Sequence, residues 1–518
     1  MRIAVIGAGV AGLTTAKVLK QVGHDVVVYD KAPDVGGVWS ETRRYPGVRT
    51  QSAKDTYSLS DFPMPKDYPE WPSGSQVQAY LAAYAQRFGV DTLLRLSTEV
   101  TSALPRSDGG WTLTLRSTVD GAPGVDSVDH LVVANGIFCD PMVPAYEGLA
   151  EFTAAGGRLC SANDFHDAED ARDRHTVVVG YGKSACDIAV PVSDVAATTT
   201  VVARQLLWKM PKRLAGVLNF KHLLLTRMGE GLFRYSTLRG FEKFLHGPGN
   251  PLRKRLLSSV GTVATRQLRL RKLGLVPVGT FSDIVRNTVS LATDGFFERV
   301  VAGRITVHRD RTVSRLLAVD GAPHVELSDG TLVHADLVVC ATGFRQAVPF
   351  LDAPVRAKLT DVNGNFVLHR QIHPVDVPDL SFAGYNSSFF SPLNAEMAAV
   401  WIAALLAGRL ELPDRDTMRT QVAQRLVFMD SATNGHHCHG TKIIPFSMHN
   451  VDEVLGDLGL DIGSLARARQ WLGPIDPGVY RKVTADLAEL FPAPQPVVSP
   501  QPDELPAAAE PRISGAVQ

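Results

Sequence analysis

Glycines 7, 9 and 12 follow the apolar run Arg2-Ile3-Ala4-Val5-Ile6, and glycines 180 and 182 follow His175-Thr176-Val177-Val178-Val179, about 170 residues on. The first stretch reads Gly7-Ala8-Gly9-Val10-Ala11-Gly12, the second Gly180-Tyr181-Gly182-Lys183-Ser184-Ala185. Small residues at this spacing, between a strand and a helix, let the backbone approach a pyrophosphate while the helix N-terminus offers free N–H groups and a partial positive charge. The residue ending the following strand differs between the two. Asp30 closes the run Asp25 to Tyr29, whereas Thr198 to Val202 runs into Ala203-Arg204. An acid there suits a ribose 2′-hydroxyl and repels a 2′-phosphate; a planar guanidinium does the reverse. Lys183 adds a second cation, and Ser184 is placed to cap the new helix and touch a phosphate. Taken alone, Arg204 reads as a solvated strand-end charge; taken as a ligand, it makes the second site one for NADPH rather than NADH.

A lone glycine fingerprint is a weak signal, and its context must carry it. Each loop here lies in a strand–turn–helix–strand unit, with Leu13 to Lys20 reading as the first helix. Gly36-Gly37-Val38-Trp39 comes just after Asp30, followed by Tyr45-Pro46-Gly47-Val48-Arg49-Thr50-Gln51-Ser52. Leu131-Val132-Val133-Ala134-Asn135-Gly136 and Leu337-Val338-Val339-Cys340-Ala341-Thr342-Gly343-Phe344 are apolar strands ending in small-residue turns, and Ser328-Asp329-Gly330-Thr331 reads as a hairpin.

On these motifs, over most of residues 1–490, the sequence resembles the class B flavoprotein monooxygenases: flavin-containing monooxygenases, Baeyer–Villiger monooxygenases and N-hydroxylases. Phe62-Pro63-Met64-Pro65 and Tyr68-Pro69-Glu70-Trp71-Pro72 look like the flavin-containing branch. The resemblance implies FAD at the first site and NADPH at the second. FAD contacts would come from Gly7, Gly9, Val10, Ala11, Gly12, Asp30, Lys31, Gly37, Val38, Trp39, Thr50, Gln51, Val100, Thr342 and Gly343. NADPH contacts would come from Gly180, Gly182, Lys183, Ser184, Ala185 and Arg204. NADPH would reduce the flavin, dioxygen would form a C4a-(hydro)peroxyflavin, and one oxygen atom would pass to a lipophilic small molecule. Excluding water would protect that adduct from leaking hydrogen peroxide.

Two departures bear on the outcome. Baeyer–Villiger enzymes usually carry Asp shortly after the Tyr-Pro-Gly turn, and the flavin-containing branch carries Asn; here Gln51 stands there, the candidate catalytic residue and a neutral amide. Both branches also have a Phe-x-Gly-x-x-x-His-x-x-x-aromatic stretch before the second glycine loop. In this chain Gly156 fits, Cys160 takes the histidine's place and Phe165 is displaced by one residue; His166 would substitute only in a shifted alignment. N- or S-oxygenation is the favoured reading. Baeyer–Villiger oxidation of a ketone and an NADPH oxidase or reductase without oxygen transfer stand as alternatives, and a non-catalytic flavoprotein is disfavoured by two intact glycine loops.

The implied fold is α/β, with two Rossmann-like dinucleotide-binding domains. An FAD domain over 1–165 and 331–490 is interrupted by an NADPH domain at 166–330, with a basic helical insert at about 205–280. Residues 491–518, rich in Pro and Ala, are expected to be disordered. The chain has 518 residues, 45% of them hydrophobic and 20% charged, with zero formal net charge, as in ordinary globular proteins. Five cysteines form no Cys-x-x-Cys pair, which argues against a disulfide reductase. The N-terminus opens on a core strand rather than a signal peptide, so a reduced, cytoplasmic setting is expected.

Between Arg204 and Leu273 stand 16 Lys and Arg against two acids, Glu230 and Glu242. That segment either covers the active site or lies peripherally on an anionic membrane; nucleic acid is not expected, for want of a recognition module. The apolar helix at Asn394 to Ala407 is too short to span a bilayer and is read as buried. His436-His437-Cys438-His439 lacks a partner cluster at ligand spacing and is read as a polar loop, with no metal site.

Overall fold

A computed structural model describes residues 1–286, 290–386, 388–432 and 447–485. The Pro/Ala-rich tail and the His436–His439 stretch lie outside the described residues.

The architecture is mixed α/β around two five-stranded parallel sheets. In the first, Arg2–Ile6 lies between Asp25–Tyr29 and His130–Val133, with Leu94–Arg95 and Leu380–Phe382 at the edges. Alternate side chains of the first strand serve opposite faces, as a pleated strand requires. Ile3 and Val5 pack toward the helices, while Ala4 and Ile6 pack toward Val100, Trp111 and Leu113 of an antiparallel sheet. In the second parallel sheet the order is Thr306–Arg309, Thr198–Ala203, His175–Val179, Leu337–Cys340, Arg158–Ser161.

Those last two strands shift the boundaries expected from sequence. Arg158–Ser161 lies before residue 166 and Leu337–Cys340 lies after residue 330, yet both pair within the second sheet. The chain rejoins the first sheet only at Leu380–Phe382. Apolar strands ending in small residues look alike in one dimension, so composition could not assign them to a sheet.

The helix Val10–Gln21 follows the first glycine loop, and Ser391–Leu406 packs against it. The latter is buried along nearly its whole length, as expected of an apolar helix that is too short to cross a bilayer. Among the described residues no helix is long and apolar enough to cross a membrane.

The basic segment contains the short strands Lys209–Met210, Arg213–Leu214 and Leu218–Asn219 and helices including Arg227–Gly231, Phe241–His246 and Asn250–Gln267. Several of its cations are neutralised by distant acids: Arg227 by Asp452 (2.6 Å), Arg213 by Glu70 (2.6 Å), Lys212 by Asp294 (2.5 Å) and Lys221 by Asp55 (2.6 Å). Its two acids are buried and clamp His449, at 2.5 Å from Glu230 and 2.7 Å from Glu242. These contacts raise the imidazole to about 9 against its burial. The insert is therefore docked on the helix Ser447–Asp457 by charge pairs remote in sequence.

A second buried polar network ties the first glycine helix to the chain's later helices. Lys17, 1% exposed, pairs with Asp61 and donates to the Thr484 carbonyl (3.0 Å). Glu396, on the buried helix, accepts from the Ser60 N–H (3.0 Å) and hydroxyl (2.9 Å). Burial, reinforced by nearby Asp61, raises the Glu396 carboxyl from 4.5 to about 8. Between those two pH values the folded chain holds a proton that the unfolded chain has released, so Glu396 costs stability increasingly as pH rises through that window. Glu396→Gln, neutral throughout, should melt a few degrees above the wild type at pH 8.5, a gain on the order of a few kcal/mol. The difference should vanish near pH 4.5; thermal melts across that range, with a pH-independent difference as the contrary result, decide it.

Candidate functional site

The first glycine loop leaves Ile6 at the carboxyl end of its strand. Gly7 has φ +115°, and a Cβ there would run into the carbonyl of Ala134, at the end of the neighbouring strand. Gly9 occupies the N-cap position of Val10–Gln21 with no side-chain cap, and no acid stands in the first turn. The helix N–H groups are thus left for an anion. Asp30 braces the loop: its Oδ2 accepts the Ala8 N–H (2.7 Å) and its Oδ1 the Ala32 N–H (2.8 Å), and each oxygen keeps a further lone pair for a sugar hydroxyl. Gly37 approaches Gly9 so closely that a Cβ on Gly37 would sit 3.1 Å from the Gly9 Cα. The Gly-Gly turn and the glycine loop therefore form one wall. Trp39 is buried and stacks edge-on against Tyr57 at 5.9 Å, while Val38 and Lys31 are exposed beside it.

The remaining residues expected at the first site are spread more widely. The Thr342 hydroxyl donates to the Met142 carbonyl, and Gly343 follows in a left-handed conformation (φ +100°). Thr50 is buried with no hydrogen-bond partner for its hydroxyl among the described residues, an orphaned polar atom of the kind a ligand would satisfy. Val100 lies in the apolar cluster under the first sheet.

The second loop repeats the first. Gly180 has φ +129°, and a Cβ there would come within 2.5 Å of the Ala341 carbonyl. Gly182 caps Lys183–Val195 with its backbone alone and faces open space, and Ala185 is fully buried against the strand. Arg204, at the end of the next strand, is exposed and makes no ion pair among the described residues, as a 2′-phosphate ligand should. Both loops thus have the free helix end and open cradle that a dinucleotide needs, one tipped by an acid and the other by an arginine.

Lys183, expected at the phosphate, has a partner on its own helix. Its ammonium is paired with Asp187, one helical turn on, instead of standing free for phosphate. Asp187 is 1% exposed, and the pair forms the hub of a seam between the two units. The Thr293 hydroxyl donates to Asp187 Oδ1 (2.6 Å), and the Tyr45 hydroxyl lies 3.5 Å from Oδ2. Gly47 packs so tightly that a Cβ would lie 2.8 Å from the Asp187 carbonyl oxygen. Gln51, a few residues on, accepts the Leu291 N–H through Oε1 (3.1 Å). The Tyr-Pro-Gly turn beside the first cradle therefore rests on the first turns of the second cradle's helix, with residues 290–293 as the third party.

Lys209 is a further member that sequence reading did not single out. It is fully enclosed, donates to the Tyr181 carbonyl inside the second glycine loop (2.7 Å), and lies 3.1 Å from Ser290 Oγ. Burial lowers its pKa. In the sequence it was one of 16 cations in a basic segment, and nothing in that run marks it as the buried one. Asp187, by contrast, stands four residues after Lys183, a spacing that marks an ion pair on one helix face.

The degenerate stretch before the second loop is also in view. Cys160 is buried in Arg158–Ser161, and burial raises its thiol to about 11. Phe165 is fully buried, while His166 turns outward with Nδ1 3.3 Å from the Arg44 carbonyl. His166 is thus the imidazole nearest the Tyr-Pro-Gly turn within this stretch.

Comparison with known proteins finds relatives along most of the chain. Residues 1–245 match the family model of flavin-binding monooxygenase-like proteins. The chain is a relative of the flavin-containing monooxygenases, and its fold is that of the class B flavoprotein monooxygenases. It is 25% identical to a probable flavin-containing monooxygenase 1 of Arabidopsis thaliana over 89% of this chain and 92% of the relative. It is also 25% identical to the N-oxide-forming dimethylaniline monooxygenase 2 of Oryctolagus cuniculus, over 89% and 83%. Among solved structures, S-allyl-L-cysteine S-oxygenase from Allium sativum superposes with TM-score 0.60 at 20% identity, covering 95% of this chain and 98% of that one. The closed form of cyclohexanone monooxygenase gives 0.65 at 17%, covering 91% and 98%. OTEMO in complex with FAD and NADP gives 0.64 at 16%, covering 88% and 98%.

The Lys183–Asp187 pair is expected to behave as a unit. Asp187→Asn alone leaves a buried ammonium without its counter-charge and should cost about 3–5 kcal/mol. Adding Lys183→Met should recover at least half of that loss, as read by denaturant unfolding. Strictly additive losses would show that the two side chains do not act on each other.

Proposed function

We propose that the protein is an FAD- and NADPH-dependent monooxygenase that transfers one oxygen atom of dioxygen to a lipophilic small molecule, with nitrogen or sulfur as the favoured acceptor. The observation that carries this reading is the pairing of an acid-tipped and an arginine-tipped glycine cradle across a shared seam. Its two-domain form is an NADPH-binding unit inserted into a discontinuous FAD-binding unit, the chain crossing between its two sheets after Val133 and after Cys340. Bound FAD, once reduced by NADPH, supplies the activation of dioxygen.

The chain's own residues do the rest. Gly7, Gly9 and the free end of Val10–Gln21 hold the flavin's pyrophosphate, with Asp30 on its ribose. Gly180, Gly182 and Ser184 hold that of NADPH, and Arg204 takes the 2′-phosphate. Lys183 acts indirectly: held by Asp187, it fixes the helix end rather than touching phosphate. Lys209 sets the loop from beneath through the Tyr181 carbonyl.

Gln51 lies where the two units meet. Its Oε1 is occupied by Leu291, so its two amide N–H donors remain for a ligand among the described residues. A neutral donor there favours heteroatom oxygenation over the Baeyer–Villiger route, which the resemblance associates with an aspartate at this position. Among the exposed cations of the basic segment, Lys254 and Arg255 stand beside exposed Leu252 and Leu256, and this is the part that would meet an anionic membrane.

One observation favours a second reading. Cys160 buries a protonated thiol where the family carries histidine, and a protein lacking that imidazole would act as an NADPH oxidase, releasing peroxide with every substrate. Screening NADPH consumption against amines, sulfides and ketones, with mass detection of one added oxygen, separates these outcomes. An oxygenated amine or sulfide supports the first reading, a lactone or ester from a ketone the Baeyer–Villiger alternative, and stoichiometric peroxide throughout the oxidase.

Arg204→Ala should raise the KM for NADPH more than tenfold and change that for NADH little; equal changes would remove Arg204 from 2′-phosphate recognition. Gln51→Ala should raise peroxide release per NADPH several-fold at unchanged flavin content. Unchanged coupling would make Gln51 a purely structural link to Leu291.

A further inference from the structure

At the opposite end of the second sheet from its glycine loop, two histidines and an aspartate converge. His175 opens the strand His175–Val179, His334 ends Leu332–His334, and Asp336 directly precedes Leu337–Cys340. One ligand atom from each lies within 4.8 Å of the others. His334 Nε2 is 3.3 Å from Asp336 Oδ1, and the His175 and His334 rings lie tilted against each other with centroids 4.1 Å apart.

The supporting shell is already built. Asp336 Oδ2 accepts the His175 backbone N–H (2.8 Å), which holds the carboxylate with its other oxygen turned to His334. His175 Nδ1 is 3.0 Å from the Thr198 hydroxyl, its partner in strand register, so the ring is oriented by a second residue. His324, across the strand pair from His334, backs that ring from the other side at 5.1 Å. Outer partners of this kind are what set ligand orientation in metal sites. The His334 and Asp336 side chains are 37% and 29% exposed, so an ion can enter from solvent.

We propose that His175, His334 and Asp336 form a binding site for a divalent transition-metal ion of the zinc class. Two imidazoles and one carboxylate match the ligand preferences of Zn²⁺ and Ni²⁺ and not those of Mg²⁺ or Ca²⁺, which take oxygen. Bonds of about 2.0–2.2 Å would draw the three ligand atoms to roughly 3.3 Å from one another, with water completing the shell. The movement needed is about 1 Å and falls on partly exposed side chains.

The site's place in the fold defines its role. It clips the antiparallel strands Val313–Val319, Ala322–Leu327 and Leu332–His334 to the start of the central strand of the parallel sheet. Five residues of strand, at ~3.3 Å each, separate it from Gly180, so the ion is roughly 15 Å from the nucleotide end. It stabilises the fold by binding only the folded chain and leaves turnover unchanged.

Calorimetric titration of the EDTA-dialysed, FAD-loaded full chain with Zn²⁺, repeated with Ni²⁺, tests the proposal. The sequence carries a second cluster of potential ligands, so a variant with His436→Ala, His437→Ala, Cys438→Ser and His439→Ala is titrated alongside. That variant should bind one Zn²⁺ and gain several degrees in Tm on binding. Adding His334→Ala should abolish this equivalent, and adding Asp336→Asn, which keeps an acceptor for the His175 N–H, should weaken it at least tenfold with the metal-free Tm retained. No Zn²⁺ or Ni²⁺ bound by the four-site variant, or binding unaltered by both His334→Ala and Asp336→Asn, overturns the proposal.

Discussion

Two backbone contacts underlie the architecture: the position a Cβ would take on Gly7 is filled by the carbonyl of Ala134, and that on Gly180 is crowded by the carbonyl of Ala341. In both sheets a strand paired directly with the glycine loop's own strand runs into a small residue, and the loop closes directly over it. That approach is available only without a side chain and with φ in the left-handed region. It leaves each following helix uncapped and pointing its free N–H groups into the space above the sheet. The free helix ends are consequences of this packing, and they lie at the carboxyl ends of the strands, where the proposed reading would seat both nucleotides.

The second constraint is the seam. Each cradle alone is a common device, and chemistry between two bound molecules demands that the cradles keep a fixed relation. Asp187 supplies that relation by engaging Lys183 on its own helix, Thr293 from the segment before the strand Thr306–Arg309, and the Tyr45 turn of the other unit. A carboxylate so deeply buried is costly unless paired and hydrogen-bonded, and here it is both. Gln51 and Leu291 extend the same line of contact. The arrangement is held by polar groups that satisfy one another across unit boundaries, which makes it more specific in orientation than an apolar interface would be.

Local features were legible in the sequence and long-range ones were not. The strands Arg2–Ile6 and His175–Val179 were marked by apolar runs ending at glycine and Asp25–Tyr29 by a run ending at Asp30, and each stands where the pattern put it. The buried helix Ser391–Leu406 was equally plain from its length and composition. The sheet membership of Arg158–Ser161 and Leu337–Cys340 was hidden, because pairing depends on which strand a distant segment meets. The partner of Lys183, Asp187, stands one helical turn on in the same segment, whereas Lys209 was indistinguishable from its basic neighbours. His175, His334 and Asp336 are scattered over about 160 residues, so no spacing rule could have joined them.

The account stands or falls on whether the two cradles hold FAD and NADPH in working contact. Anaerobic titration of the purified, FAD-reconstituted protein with NADPH, followed by flavin absorbance, tests this directly. The account predicts a yellow protein whose flavin band bleaches with one equivalent of NADPH and far more slowly with NADH. A protein that takes up no FAD, or whose bound flavin stays oxidised in the presence of NADPH, would contradict it.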